Sequence, residues 1–286
     1  MINPANRERP DQCEQLGGSA EWKEFPVPLS TDGGPWKGHT PFAIARQPIF
    51  GLRGRVYGYE LLFRDRMANS FSGDRDQASQ TLANRWESHN LSGLTGDGLP
   101  FVNCTRNTLL AGWAEQFPRG TVLEILEDVE PDQAVLEVCY RLKTAGYRIA
   151  LDDFQYSDKM VCLVEIADYI KIDFRALNPH QRDTTLFSLR GFSGALVAEK
   201  LETGEEYCLA REQGFVLFQG FFLALPEIFL WRGSLAGVTR EPMIVNEFGP
   251  ITPRYPPVAL SPCDAEDSPL AAWRPESSTD VGEMPP

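Results

Sequence analysis

The chain has 286 residues, of which 42% are hydrophobic, and this is enough to form one large domain or two small ones. Its 40 aspartate and glutamate residues outnumber its 27 lysines and arginines, and the formal net charge is −13. So acidic a protein repels DNA, RNA and anionic membrane surfaces, and none of these is expected as a partner. A small anionic ligand is still compatible with this charge if cations line its pocket.

The cysteines and the apolar segments favour a cytoplasmic protein without a zinc site. The six cysteines form no CxxC pair, and the chain has three histidines. The N-terminal residues contain no apolar run of the kind that a signal peptide needs. The longest apolar stretch, GFFLALPEIFLW at 220–231, is too short to cross a bilayer.

Composition divides the chain into three regions. Residues 1–40 are rich in proline, glycine and charge, and residues 232–286 are rich in proline. We expect both regions to be extended, poorly ordered arms. Within the second arm, MIVNEF at 243–248 is the segment best suited to pack on a folded domain. Residues 41–231 carry regular hydrophobic patterns and predict that domain.

Eight short runs of β-branched and aliphatic residues predict strands. They are FAIARQPI, VYGYELLF, LPFVNC, TVLEIL, RIALDDF, YIKIDF, ALVAEK and FVLFQGFF. Only GLRG at 51–54 separates the first two strands, and this is too short for a crossover helix. The first two strands should therefore form an antiparallel hairpin.

The later strands alternate with helical patterns. One of these is EPDQAVLEVCYRLKTAG at 130–146, in which Pro131 suits a helix start and Gly146 suits a helix end. Such alternation predicts parallel strands joined by right-handed crossovers. The sequence therefore predicts an α/β fold, a TIM-like (β/α)8 barrel with an antiparallel first strand.

Polar residues stand at or near the carboxyl ends of these strands. They are Glu60, Asn103, Glu124, Asp152, Asp153, Lys171, Glu199 and Gln219. In a barrel these strand ends meet at one rim, where active sites are built. Five of the eight are carboxylates, and a hard divalent cation such as Mg²⁺ or Mn²⁺ would relieve their mutual repulsion. The adjacent Asp152 and Asp153 could serve two neighbouring ions.

Each of these residues alone has an ordinary structural explanation. Asp153 could cap the next helix, Asn103 could form an Asx turn, and Lys171 could extend its ammonium group to solvent. The combination of eight polar groups at one rim is what favours a functional site. An unrelated metal-dependent barrel enzyme, such as an enolase-like one, would also gather acids and a lysine on its strand ends.

Seven segments, in order along the chain, resemble the EAL-domain family of cyclic di-GMP phosphodiesterases and their degenerate relatives. They are RQPIF…GRVYGYELLFR, FVNCT, LEILE, LDDF, IKID, AEKLE and FQGFF…P, within about residues 42–229. Glu60, Leu61 and Leu62 match the Glu-Ala-Leu signature. The chain most resembles a subgroup in which an EAL-like domain precedes a helical HDOD domain. The segments that carry this similarity are ARQPIF, GYELLFR, VLEILEDVEPD and AEKLET.

The resemblance implies a role for each matching residue. It implies two Mg²⁺ or Mn²⁺ ions, with Asp152 bridging them, held by Glu60, Asn103, Glu124, Asp152 and Asp153. The implied catalytic residues are Lys171 and Glu199, which would orient and deprotonate the attacking water, and Gln219. The residues implied to bind the substrate are Arg64, which would contact a phosphate, Gln47 and Pro226. The residues implied to support the loops are Glu127 and Glu202.

The loop after the double aspartate departs from the family. It reads DFQYSDKM where the family reads like DFGTGYSS, and Gln155 adopts positive φ less readily than glycine. We therefore expect an altered loop path and slow hydrolysis of cyclic di-GMP to linear pGpG. The alternative is a weak or inactive EAL domain that acts as a cyclic di-GMP receptor or a protein-interaction scaffold. The family loop also implies a homodimer, and the arms could bind a protein partner.

Overall fold

The computed structural model describes residues 42–64, 75–86, 91–231 and 243–244. The predicted N-terminal arm lies outside the described residues, and so does the predicted C-terminal arm apart from 243–244. The description begins with an antiparallel hairpin of β1 (Phe42–Gly51) and β2 (Val56–Arg64), as predicted. Its register places Gln47 opposite Glu60.

Parallel strands and helices alternate after the hairpin. The further barrel strands are β3 (Leu99–Cys104), β4 (Val122–Ile125), β5 (Arg148–Leu151), β6 (Tyr169–Asp173), β7 (Ala195–Glu199) and β8 (Leu217–Phe218). The helices are α1 (Arg75–Arg85), α2 (Arg106–Leu110), α3 (Gln133–Thr144), α4 (Val161–Ile166), α5 (Pro179–Ser188) and α6 (Gly204–Glu212). Short 3-10 turns occupy Leu91–Leu94, Trp113–Gln116 and Asp158–Met160.

The sheet closes on itself. Each strand from β2 to β7 pairs in parallel with the next, and β8 pairs antiparallel with the end of β1, where Phe50 faces Phe218. The predicted TIM-like barrel with an antiparallel first strand is confirmed.

Local sequence signals set the helix ends. The side chain of Asp132 accepts a hydrogen bond from the backbone N–H of Val135 and so caps α3, and Gly146 adopts a φ of 93° just beyond the end of this helix. Thr203 and Glu206 form a reciprocal capping box at the start of α6. This second cap fixes the loop that leaves β7, which carries part of the polar cluster described below.

Alternation along the strands separates the barrel interior into an apolar layer and a polar layer. On β3 to β8, an apolar interior residue is followed two positions later by a polar one, since side chains two apart share a face. The pairs are Phe101 and Asn103, Val122 and Glu124, Ala150 and Asp152, Tyr169 and Lys171, Val197 and Glu199, and Leu217 and Gln219. The apolar members pack together with Ile49 as one buried cluster, and the polar members form the mouth above it.

Two strands were not predicted from the sequence. β9 (Glu227–Trp231) pairs antiparallel with β1, and β10 (Met243–Ile244) pairs antiparallel with β9. β8 is short, and on β1 it pairs only with Phe50 and Gly51, so it leaves the first half of β1 with a free edge. β9 covers that edge and satisfies its backbone groups.

Five predicted strands are shorter in the structure, two of them by three residues or more. β5 ends at Leu151, so Asp152 and Asp153 lie just beyond the strand, and β8 contains only Leu217 and Phe218. Glu60, by contrast, lies inside β2 and not at its end. Within the described residues, none of the helices is both long and apolar enough to cross a bilayer.

Candidate active site

The polar layer is centred on the ammonium group of Lys171. Its Nζ lies 2.7 Å from Asp152 Oδ1, 2.8 Å from Glu124 Oε1, 3.1 Å from Glu199 Oε2 and 3.6 Å from Glu60 Oε2. Lys171 and Glu124 are both 0% exposed. One buried cation therefore contacts four carboxylates, which come from four different strands or strand ends.

The burial of this cluster shifts the pKa values of its members. Burial alone would lower the pKa of Lys171, but the four carboxylates outweigh burial and raise that pKa well above its usual value. Burial raises the pKa values of Glu124 and Glu199, and Lys171 offsets this only in part. When all four acids are ionised, one ammonium and four carboxylates leave a formal charge of −3, so the cluster favours a further cation.

Several buried oxygen atoms in this cluster are free to act as ligands. Among the described residues they find no partner with hydrogen-bond geometry, and they are Asn103 Oδ1, Glu124 Oε1 and Oε2, Glu199 Oε1 and Gln219 Oε1. Glu124 Oε1 faces Lys171 as an ion pair without the geometry of a hydrogen bond. A buried polar atom without a partner is costly, and carboxylate and amide oxygens are the ligands that Mg²⁺ and Mn²⁺ prefer. The donor set therefore fits a hard divalent cation.

Gln219 links the cluster to the first hairpin. Its Nε2 donates a hydrogen bond to Glu60 Oε2 at 2.7 Å and another to Gln47 Oε1 at 3.2 Å. These bonds fix the amide so that its Oε1 points away from both partners and carries no hydrogen bond within the described part of the chain. Gln47, Glu60 and Gln219 are thus brought together.

Three acids form an outer group beside this cluster. Glu127, Asp152 and Asp153 each have a carboxylate oxygen within 4.8 Å of the others. A cavity of about 280 Å³ opens here and is lined by Arg75, Asn103 and these three acids, among others. Arg75 donates to Glu127 Oε1 from both terminal nitrogens at 3.3 Å.

The cation of the outer group, Lys200, was missed by the sequence analysis. Its Nζ lies 2.9 and 3.1 Å from the two carboxylate oxygens of Asp153 and 2.5 Å from Asp173 Oδ2. The signal was present in AEKLE and IKID, because Lys200 follows Glu199 directly and Asp173 lies two residues after Lys171. Arg75 was missed as well, since it follows a segment with no strand or helix signal.

Three further residues were predicted from the sequence, and they are Arg64, Glu202 and Pro226. Arg64 ends β2, and its side chain is outside what the structure describes. Glu202 is exposed and pairs with Arg175 at 3.5 Å, which connects the loops after β7 and β6. Pro226 is half-buried and directly precedes β9. Its role as a substrate ligand stays a prediction.

Comparison with known proteins shows which proteins the chain resembles. An EAL-domain family model matches residues 105–226. The chain is 38% identical over 195 residues to YuxH of Bacillus subtilis, a protein described as uncharacterized, and this match covers 65% of the chain and 47% of YuxH. It is 33% identical over 195 residues to the cyclic di-GMP phosphodiesterase CdgJ of Vibrio cholerae, covering 66% of the chain and 45% of CdgJ.

A solved structure agrees with this result. The B. subtilis YkuI protein, which has an EAL domain and was crystallised with cyclic di-GMP and calcium, superposes with a TM-score of 0.52 at 25% identity. The match covers 64% of this chain and 54% of YkuI. The fold and site thus define a TIM-like barrel with an acid-rich mouth, and residues 105–226 match the EAL-domain family. It spans about half the length of the curated relatives that it matches.

Proposed function

We propose that this protein hydrolyses cyclic di-GMP to linear pGpG and needs Mg²⁺ or Mn²⁺ to do so. The observation that carries the proposal is the buried set of carboxylate and amide oxygens around Lys171, which lack hydrogen-bond partners within the described residues. The substrate follows from the relatives, because CdgJ is named a cyclic di-GMP phosphodiesterase and YkuI was crystallised with this nucleotide.

The inner oxygens would hold the cation. Glu60, Asn103, Glu124 and Asp152 surround the same buried space, and Asn103 and Glu124 contribute oxygens that no described group occupies with a hydrogen bond. When bound there, a divalent cation would lower the pKa of a water molecule and stabilise negative charge on the phosphoryl oxygens. The predicted second ion would lie at the outer acids, beside Asp152 and Asp153.

Glu199 is suited to accept a proton from the attacking water. Its Oε1 carries no hydrogen bond within the described residues, while Oε2 is held 3.1 Å from Lys171. Burial raises the pKa of Glu199 above that of an ordinary glutamate, and Lys171 offsets this only in part, so this carboxylate holds a proton more strongly than an exposed glutamate does. Lys171 would keep the carboxylate oriented, and Gln219 would position the water through its unpaired Oε1.

The substrate phosphates need cations or donors at the rim. We assign this role to Arg64, Gln47 and Pro226, on the resemblance of their segments to the family. Glu127 and Glu202 would support the loops, and the ion pair between Glu202 and Arg175 is compatible with this role. A homodimer, a cytoplasmic location and a protein partner for the arms stay predictions.

We expect hydrolysis to be slow. In the loop after β5, the residue that adopts positive φ is Asp153, with a φ of 43°, and not Gln155. A displacement of about 1 Å in a reacting group can cost on the order of 100-fold in rate. Mn²⁺ should support more activity than Mg²⁺, since a given ligand set holds it more tightly.

A second candidate function is a cyclic di-GMP receptor or scaffold without useful catalysis. The observation that favours it is the contact of Lys171 with four carboxylates, because the lysine already satisfies much of the cluster without a metal. In this case, nucleotide binding would survive and turnover would be absent.

The test is incubation of the purified full chain with cyclic di-GMP and either Mg²⁺ or Mn²⁺, followed by chromatography of the nucleotides. We expect linear pGpG from the native protein. Glu199→Gln should form it at least about 100-fold more slowly, because the variant lacks the general base. The matched control is Glu212→Gln, since Glu212 is an exposed residue near the end of α6. Nucleotide binding without product would support the receptor, and no binding at all would support the scaffold.

A further inference from the structure

Within the described residues, two residues that are not glycine adopt positive φ, and both lie at the mouth of the barrel. Asp153 has a φ of 43° in the loop after β5, and Lys200 has a φ of 59° in the loop after β7. A left-handed backbone conformation is unfavourable for a residue with a side chain and persists only where its surroundings impose it. The two strained residues are also bonded to each other.

The ammonium group of Lys200 is held at one point by two aspartates. Lys200 Nζ donates hydrogen bonds to both carboxylate oxygens of Asp153, at 2.9 and 3.1 Å, and to Asp173 Oδ2 at 2.5 Å. Asp173 is itself fixed, because its Oδ1 accepts from the backbone N–H groups of Arg175 and Ala176 and only 5% of the residue is exposed. Lys200 is therefore anchored to a buried carboxylate and does not simply pair at the surface.

This arrangement occupies the oxygens that a second metal would need. The outer acids Glu127, Asp152 and Asp153 are the residues close enough to share such an ion. Lys200 contacts both oxygens of Asp153, Arg75 contacts Glu127, and Asp152 already contacts Lys171. A divalent cation at this position would face the fixed positive charge of Lys200 on the same carboxylate, and like charges at this distance repel.

We propose that the ammonium group of Lys200 takes the place of the second divalent cation, so that the inner oxygens bind one ion and the outer acids bind none. The inference rests on the metal dependence in the proposed function and replaces the predicted pair of ions with one ion and one lysine. Lys200 is in this sense a positioning residue, since it holds Asp153 and the loop after β5 in one place. A lysine carries one positive charge where an ion carries two, and it cannot lower the pKa of a bound water as a metal does. Slow turnover is therefore expected, because a lysine lies where a second metal ion would otherwise bind.

The test counts Mn²⁺ ions bound to the full chain, by calorimetric titration and by electron paramagnetic resonance, with no nucleotide present. The native protein should bind one ion. Lys200→Gly should bind two, because glycine accepts a φ of 59° without strain and removes the ammonium group. Lys200→Arg keeps the charge and should bind one. Asp153→Asn combined with Lys200→Gly should return to one, since the outer ligand is then lost.

Two controls keep the outcome interpretable. Lys159→Met removes an exposed lysine whose partner is Glu130, and it should leave the count at one. Thermal melting of each variant checks that it is folded, and Lys200→Met repeats the removal of charge with a side chain of similar length. Two ions in the native protein, or one in both Lys200→Gly and Lys200→Met, would overturn the proposal. A count of zero throughout would overturn it together with the metal dependence. A count that rises from one to two supports it even if cyclic di-GMP is not hydrolysed.

Discussion

Lys171 holds four carboxylates in a space from which water is largely excluded. Each of these acids is repelled by the others, and the ammonium group is the closest positive charge that the described residues place among them. Removing one partner of a buried ion pair leaves an uncompensated charge, which is far more costly than losing a pair at the surface. In the absence of metal, the stability of the barrel mouth should depend on this single residue.

Lys171→Met should therefore lower the free energy of unfolding by about 3–5 kcal/mol in metal-free buffer, the range seen when a buried pair is broken. Mn²⁺ should recover part of this loss, because it binds the folded state only and supplies the missing positive charge. Urea denaturation with and without Mn²⁺ measures both effects. Lys159→Met is the control, since its ion pair is exposed and should contribute little. Equal losses in the two variants would show that the cluster does not depend on Lys171.

Asp173 contributes stability in a manner that depends on pH. Burial would raise its pKa, but the hydrogen bonds from Lys200 and from the backbone amides of Ala176 and Arg175 outweigh burial and lower it. A folded pKa below the unfolded value of about 3.9 means that the ionised form stabilises the fold above that pH. This contribution is lost as the pH falls through the folded pKa.

Asp173→Asn should lower the free energy of unfolding by about 1–3 kcal/mol at pH 7, the usual cost of losing hydrogen bonds to a charged group. The difference from the native protein should shrink as the pH is lowered from about 5 toward 2, because the native Asp173 is then protonated as well. Urea denaturation across this pH range measures the difference, with Asp97→Asn as a control on an exposed aspartate. A difference that stays constant with pH would contradict the assigned role.

At the scale of elements, the loop after β8 places Gln219 by running directly against the loop after β7. Gly220 adopts a φ of 155°, and a Cβ atom there would lie 2.2 Å from the backbone oxygen of Leu201 and 2.3 Å from its nitrogen. The backbone N–H of Leu201 donates to the carbonyl of Gln219 at 3.1 Å. This close approach requires glycine and keeps Gln219 beside Glu60.

Gly220→Ala should destabilise the protein by about 1–3 kcal/mol, as overpacking against an unyielding backbone does. It should also move Gln219, so the stabilisation of the protein by Mn²⁺ should fall together with its stability. The matched control is Gly191→Ala, where an added Cβ meets nothing within 4 Å. Thermal melting with a Mn²⁺ titration compares the two variants, and indistinguishable curves would rule out the proposed role of the close approach.

These elements show which parts of the fold the sequence could predict. Apolar and polar residues two positions apart, such as Phe101 and Asn103 or Tyr169 and Lys171, identify both a strand and its interior face. This pattern can be read from the sequence because it involves only neighbouring residues. β9 could not be predicted in this way, since its partner β1 lies about 180 residues away and the need for it arises from the shortness of β8. The contact between Lys200 and Asp153 depends on how β5, β6 and β7 lie side by side and on the positive φ of both residues, which spacing along the chain alone does not give.

At the scale of the whole molecule, a strand beyond residue 231, where composition predicts the domain to end, pairs with the barrel sheet. β10 pairs with the backbone of Phe229 and Leu230, so a chain that ends at residue 231 loses the partner on the outer edge of β9. An exposed strand edge frays more readily and presents unpaired backbone groups. The C-terminal limit of the stable region should therefore fall after Ile244 and not at 231.

Limited proteolysis of the full chain should accordingly leave a fragment that begins near residue 41 and ends beyond Ile244, as mass spectrometry can establish. A variant truncated after residue 248 should melt at a higher temperature than one truncated after 231. The expected difference is about 2–4 °C for each kcal/mol that the β9 and β10 pairing contributes in a domain of this size. The two truncations have the same N-terminus and the same polar cluster, so the difference reports on the C-terminal segment. A protease-resistant fragment that ends at 231, with equal melting temperatures for the two truncations, would show that the pairing contributes nothing.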